Sequence, residues 1–242
     1  MSVGLFPDDI QEQLPTTSAP SARTRRFAGL AIFFVLLGAA LLVLLDAVSK
    51  SINPLHEPIS NYALTRYGWL FDLAVVVLAL GLAALLCALV AAELVELGSG
   101  SFVVTATCCV CLVVLVVFPD QASASGLSPS GWAHWAAAMA AFGGLLVTPM
   151  VLGSRHRVRT GCSRLPGIAR WMSYWAGGWF AMLLTGSVMV QVTPVDVWRV
   201  GGLVERALSA SEVVVAMLLA LWAWRGCSCD RSSARVEFPR VG

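Results

Sequence analysis

The chain has 242 residues, 58% of them hydrophobic and 12% charged, with a mean hydropathy of +0.79. Ordinary soluble domains carry roughly 25% charged residues, so this composition excludes one and defines an integral membrane protein. The net charge of +2 is too small for a nucleic-acid surface. What carries information is where each arginine lies relative to the apolar runs.

Residues 1–26 are rich in Pro, Ser and Thr, lack an apolar period, and read as a disordered cytoplasmic tail. Arg25-Arg26 ahead of an apolar run invites a signal-peptide or twin-arginine reading, but the run from Phe27 to Leu45 exceeds the roughly 7–15 residues of a signal h-region. A retained first helix is expected. Six runs, at about 27–48, 68–92, 101–118, 131–152, 171–192 and 203–224, can each cross a hydrocarbon layer of about 30 Å at about 1.5 Å per residue. They define an all-α bundle of six transmembrane helices over 27–224, followed by a cytoplasmic tail at 225–242.

Between the first two runs lies a polar segment punctuated by Asn53-Pro54 and Pro58. Asn53-Pro54 marks a turn, and Ser60 is placed to cap a short interfacial helix ending near Gly68. Ile59, Tyr62, Ala63 and Arg66 would share one face of it.

Basic residues set the orientation. With the N-terminus inside, the inner side takes Arg23, Arg25, Arg26, Arg155, Arg157, Arg159, Arg164, Arg170, Arg225, Arg231, Arg235 and Arg240, leaving Lys50, Arg66, Arg199 and Arg206 outside. Both termini are therefore expected in the cytoplasm. Trp69, Trp132, Trp135 and Trp198 then mark outer helix ends and Trp171, Trp222 and Trp224 inner ones, while Trp175 and Trp179 lie deeper, placed to pack in the bundle. Two small-residue rows, Ala133/Ala137/Ala141 and Ala136/Ala140/Gly144, with Gly177 and Ala181 on the fifth helix, predict close packing of helices four and five. Cys87, Cys108, Cys109 and Cys111 lie within spans, and Cys162, Cys227 and Cys229 on the cytoplasmic side, where thiols stay reduced. Cys227 and Cys229 read as a plain juxtamembrane thiol pair rather than a metal or lipid site.

The outer loops hold the chemistry. They carry His56, Glu57, Ser60, Asn61, Tyr62 and Arg66; Asp120, Ser130 and His134; and Asp196, Arg199, Glu205 and Arg206. Ile59-Ser-Asn-Tyr-Ala63 before Gly68-Trp69, Phe118-Pro-Asp120 ending the third span, His134 opening the fourth and Gly202-Leu-Val-Glu-Arg206 opening the sixth resemble the bacterial membrane family catalogued as domain of unknown function 998. The resemblance covers about residues 27 to 224 and implies a multispanning bundle in a bacterial plasma membrane, with no particular activity. His56-Glu57 is not assigned to that pattern.

Asp120, His134 and either Ser60 or Ser130 are the residue types of a hydrolytic triad, but no nucleophile elbow is present, and an interfacial hydrogen-bond network explains them as well. His56, Glu57, Asp120 and His134 are competent zinc ligands at a spacing that matches no metal motif, so neither metal nor cofactor is expected. The sharper signal is on the sixth helix. Glu205, Ser209 and Glu212, four and three apart, share a face that carries Glu212 roughly 13 Å into the span at about 1.5 Å per residue. A carboxylate there costs on the order of 3 kcal/mol, so Glu212 should face the bundle, protonated or paired, with Ser187, Gln191, Asp72 and Asp46 as candidate neighbours. Arg206 should pair with a carboxylate or a lipid phosphate.

The expected role is binding of a lipid or small amphiphile through an outward polar mouth, with Ser60, Asn61, Tyr62, Glu205, Arg206 and Ser209 as ligand-binding residues. The rival is an acid–base enzyme acting on a lipid or polyprenyl substrate through Asp120, His134 and Glu212. A transporter ranks third, since a homo-oligomer would be needed to complete its path. In each reading the segment 54–68 caps the mouth.

Overall fold

The computed structural model describes residues 20–119, 122–123, 126–156, 164–192 and 200–226. Among them are six long helices: α1 Ala22–Val48, α2 Gly68–Ala91, α3 Gly100–Val117, α4 Pro129–His156, α5 Leu165–Val192 and α6 Gly201–Arg225. A 3-10 helix, Ile59–Leu64, lies between α1 and α2, and a two-residue antiparallel pair, Ala122–Ser123 with Gly126–Leu127, lies between α3 and α4. Each long helix packs on the next, and α6 returns to α1 to close the ring. Helix α6 also touches α2, α4 and the 3-10 helix, so four of the five other long helices are positioned against it.

Helices α1, α2, α3, α4 and α6 are long and apolar enough to cross a membrane, which makes this a multi-pass membrane protein. Among the described residues, five of the six expected spans meet that criterion. Helix α5 has 28 residues, but Trp171, Tyr174, Trp175, Gly177, Gly178 and Trp179 dilute its apolar run. Leu30, Phe33, Leu44, Val76, Val110 and Val113 are exposed on the outer faces, as suits a lipid solvent and not water.

Helix α1 starts within the segment expected to be disordered. Ser21 Oγ accepts from the Thr24 N–H (3.1 Å), and Thr24 Oγ1 donates to the Ala91 carbonyl at the end of α2 (3.0 Å), so polar contacts hold residues 22–26 helical where no apolar period would.

Small residues set the helix spacings. A Cβ at Gly38 would lie 2.6 Å from Leu78 Cγ, and one at Gly81 would lie 2.9 Å from Val35 Cγ2 and 3.0 Å from the Val35 backbone nitrogen. Helices α1 and α2 thus interlock in both directions. The small-residue rows of α4 serve α3 more than α5. A Cβ at Gly144 would meet Cys108 Sγ at 2.5 Å, Cys108 Sγ donates to the Ala141 carbonyl (3.5 Å), and the Thr105 and Thr148 hydroxyls bond across the same seam (3.2 Å). Gly177 meets nothing within 4 Å, and the α4–α5 contact is made by larger groups, with Leu146, Ala176 and Leu183 around Phe142, Trp179 and Phe180. Two tryptophans also differ from expectation. Trp175 is 57% exposed, and Trp222 is buried in the core because α6 is surrounded there by α1 and α2.

Gly81→Val should cost about 1–3 kcal/mol by overpacking against backbone that cannot yield. Thermal unfolding in detergent checks this, with Gly100→Ala, where a Cβ meets nothing within 4 Å, expected to keep the wild-type midpoint.

Candidate functional site

The first loop is folded by its own polar groups before it meets the helices. Asn53 Oδ1 accepts from the Leu55 N–H (3.0 Å), the Asn53 carbonyl accepts from the His56 and Glu57 N–H groups, and Glu57 Oε2 accepts from the Asn53 N–H (2.9 Å). This is the turn that Asn-Pro predicts. Ser60, however, is not at the N-cap position, which is Pro58. It lies inside the 3-10 helix, whose first N–H, that of Ile59, donates to Glu205 Oε2 at 2.8 Å. The capping oxygen comes from α6, 146 positions away, so no local pattern could reveal it.

Arg206 completes the attachment. Its Nη2 donates to Asp46 Oδ1 (2.8 Å) and to the Tyr62 hydroxyl (3.3 Å), its Nε to both Asp46 oxygens (3.2 Å each), and its Nη1 to the carbonyls of Glu57 (2.9 Å) and Gly202 (3.1 Å). Every guanidinium N–H is engaged. Tyr62, fully buried, donates in turn to Asp46 Oδ1 at 2.7 Å. Gly202 lets the loop approach, since a Cβ there would collide with the carbonyl oxygens of Glu57 and Pro54, and the Leu203 N–H bonds the Leu55 carbonyl at 3.1 Å. The carboxylate expected to pair with Arg206 is therefore Asp46, which joins α1, the loop and α6 in one knot.

Beneath the knot is a cavity of about 130 Å³. Its walls are mostly apolar, with Phe71, Leu78 and Leu82 of α2, Leu112 of α3 and Phe142 of α4 among them. The polar lining is Ser60, His134, Glu205, Ser209 and Glu212. The α6 stripe thus runs down one wall, as its spacing predicts. Glu212 is buried, and its Oε1 has no hydrogen-bond partner among the described residues. It faces α2, α3 and α4 rather than α5: Ser187 is half-buried and bonds the Leu184 carbonyl, the Gln191 side chain is outside the described residues, and Asp46 is held by Arg206.

His134 is buried, and its Nδ1 donates to the Phe118 carbonyl at 2.9 Å, since a carbonyl can only accept. In the neutral ring Nε2 is then the lone-pair nitrogen. Ser130 Oγ donates to the Pro119 carbonyl (3.0 Å), so these two side chains clamp the end of α3 to the start of α4 and do not form a nucleophile–base pair. Asp120 is outside the described residues, and with it the third member of any triad. Among the described residues no three His, Cys, Asp or Glu side chains converge as a metal site.

The expected site residues therefore divide. Ser60, His134, Glu205, Ser209 and Glu212 share the cavity, Tyr62 and Arg206 belong to the knot above it, and half-buried Asn61 lines neither. Asp46 and Gly202 are the positions holding the knot together that sequence reasoning undervalued. Their signals were a lone acid at the end of an apolar helix and a glycine pair opening another.

A bundle of membrane-crossing helices with a polar knot closing one end of an amphiphilic cavity defines a class, the multi-pass α-helical membrane protein. Residues 32–222 match the family model described as protein of unknown function (DUF998), and the chain belongs to that family. No curated protein and no solved structure matches.

The Tyr62 phenol is pushed up from 10.0 to about 12, chiefly by burial and then by Asp46, with Arg206 acting in the opposite direction. A raised folded-state pKa contributes stability that is intact below pH 10 and lost as pH rises through about 12. Unfolding midpoints measured across that window should fall for the wild type, and Tyr62→Phe should remove that part of the slope.

Proposed function

We propose that the protein binds a small amphiphile, or one segment of a lipid, in the cavity enclosed by α1, α2, α3, α4 and α6. The observation that carries this reading is Glu212: a buried carboxyl oxygen without a protein partner, on the wall of an otherwise apolar space. A buried polar atom left unsatisfied costs about 1–3 kcal/mol, which a ligand hydrogen bond offsets. The size of the space supports a compact occupant, because cavities of about 150 Å³ take up benzene-sized molecules. Ligand contacts fall to Ser60, Glu205, Ser209 and Glu212, while Tyr62, Arg206 and Asp46 hold the cap in place. In this reading α5 is the sixth span, both termini are cytoplasmic, and the knot faces outward from a bacterial plasma membrane. The arginines at the opposite end, including Arg23, Arg25, Arg26, Arg164 and Arg170, support that orientation.

One observation favours a second reading. His134 and Glu212 line the same cavity, and the Phe118 carbonyl fixes the histidine tautomer. Such a pair can take and give a proton on a lipid or polyprenyl substrate. Product formed equally by wild type, His134→Gln and Glu212→Gln would remove it.

Mass spectrometry of amphiphiles retained by protein extracted in native nanodiscs tests the first reading. Ala138→Phe fills the cavity and should lower occupancy by about tenfold, equivalent to about 1.4 kcal/mol, without changing the helical content. Equal retention by the filled variant would contradict it.

A further inference from the structure

The charge on the cavity wall narrows the ligand. Among the described residues its titratable groups are Glu205, Glu212 and His134, with no lysine or arginine. Arg206, next to Glu205 in sequence, has its charge balanced by Asp46, and Asp46, the Tyr62 hydroxyl and the carbonyls of Glu57 and Gly202 take all its N–H groups, so it has no donor left for a ligand. A phosphate or carboxylate head group would meet two glutamates and, among the described residues, no lysine or arginine, in a medium where like charges repel strongly. An ammonium meets the reverse. Glu212 offers a buried carboxyl group whose Oε1 lacks a partner among the described residues, and Phe71 and Phe142 in the same lining are aromatic residues of the kind that attract a cation. A buried charge is tolerated when it is paired and hydrogen-bonded, and here each charge supplies the other's partner.

Resting on the binding role proposed above, we infer that the ligand is a lipophilic amine: a protonated nitrogen against Glu212, with a compact apolar body among Phe71, Leu78, Leu82 and Phe142. Glu205 holds the cap through the Ile59 N–H while adding negative potential at the upper end of the cavity. Selectivity then comes from the sign of the wall, and size selection comes from a volume of about 130 Å³.

Three probes with one apolar body separate the alternatives: cyclohexylmethylamine, cyclohexylmethanol and cyclohexylmethyl phosphate. Each is titrated calorimetrically into full-length protein in nanodiscs of zwitterionic lipid, with empty nanodiscs subtracted. The amine should bind about tenfold or more tightly than the alcohol, and the phosphate should bind more weakly still. Glu212→Gln should cut amine affinity by about tenfold and alcohol affinity by less than about threefold. If the alcohol or the phosphate binds as tightly as the amine, or if Glu212→Gln leaves the amine-to-alcohol ratio unchanged, the amine inference is overturned. In that case binding abolished by Ala138→Phe would still support a ligand in the cavity. If none of the three binds differently to wild type and Ala138→Phe, both the inference and the binding role are overturned.

Discussion

The Arg206 guanidinium is the contact on which this architecture depends. A cation near the start of a membrane helix is tolerated only when its charge is balanced and its donors are satisfied. Here one carboxylate, one phenol and two backbone carbonyls meet both needs together. Those partners come from α1, the first loop and α6, so neutralising the charge also fixes how three distant segments meet. Removing Asp46 would leave a half-buried guanidinium short of its counter-ion, which costs far more than losing an exposed ion pair. The loop is therefore attached electrostatically at one end of a bundle otherwise assembled by packing.

Packing and polarity divide the molecule along its axis. Midway along the bundle Gly38 of α1 and Gly81 of α2 let backbones approach, and toward the end where α1 begins the core is filled by Leu85, Leu89, Leu219 and Trp222. Toward the knot the helices hold apart around the cavity, and Glu205, Ser209 and Glu212 supply the polar wall. A protein selected for stability alone would fill such a space with apolar side chains. Keeping an unpartnered carboxyl there, under a cap held by a separate set of bonds, supports a role in recognition.

Much of the fold was legible because membrane spans announce themselves by length and apolarity, which do not depend on tertiary context. Helix α5 was harder, since its tryptophans and glycines lower its apolarity without shortening it. The Glu205-Ser209-Glu212 stripe was legible for a similar reason: spacing along one helix dictates a shared face. Asp46 was not, because its meaning comes from a partner 160 positions away. Ser60 misled for the same reason, as the cap it resembled was supplied by Glu205. The small residues of α4 matched a helix-packing pattern without naming the partner, and the Thr105–Thr148 and Cys108–Ala141 bonds assign it to α3.

The most direct measurement of this account is amide hydrogen exchange across residues 53–65 in wild type and Asp46→Asn, in nanodiscs. The Ile59 amide bonded to Glu205 and the tethered 3-10 helix should exchange slowly in wild type. In Asp46→Asn the segment should lose protection while the α3–α4 seam keeps it. A segment that exchanges as freely in wild type as in the variant would contradict the claim that the knot closes this end of the cavity.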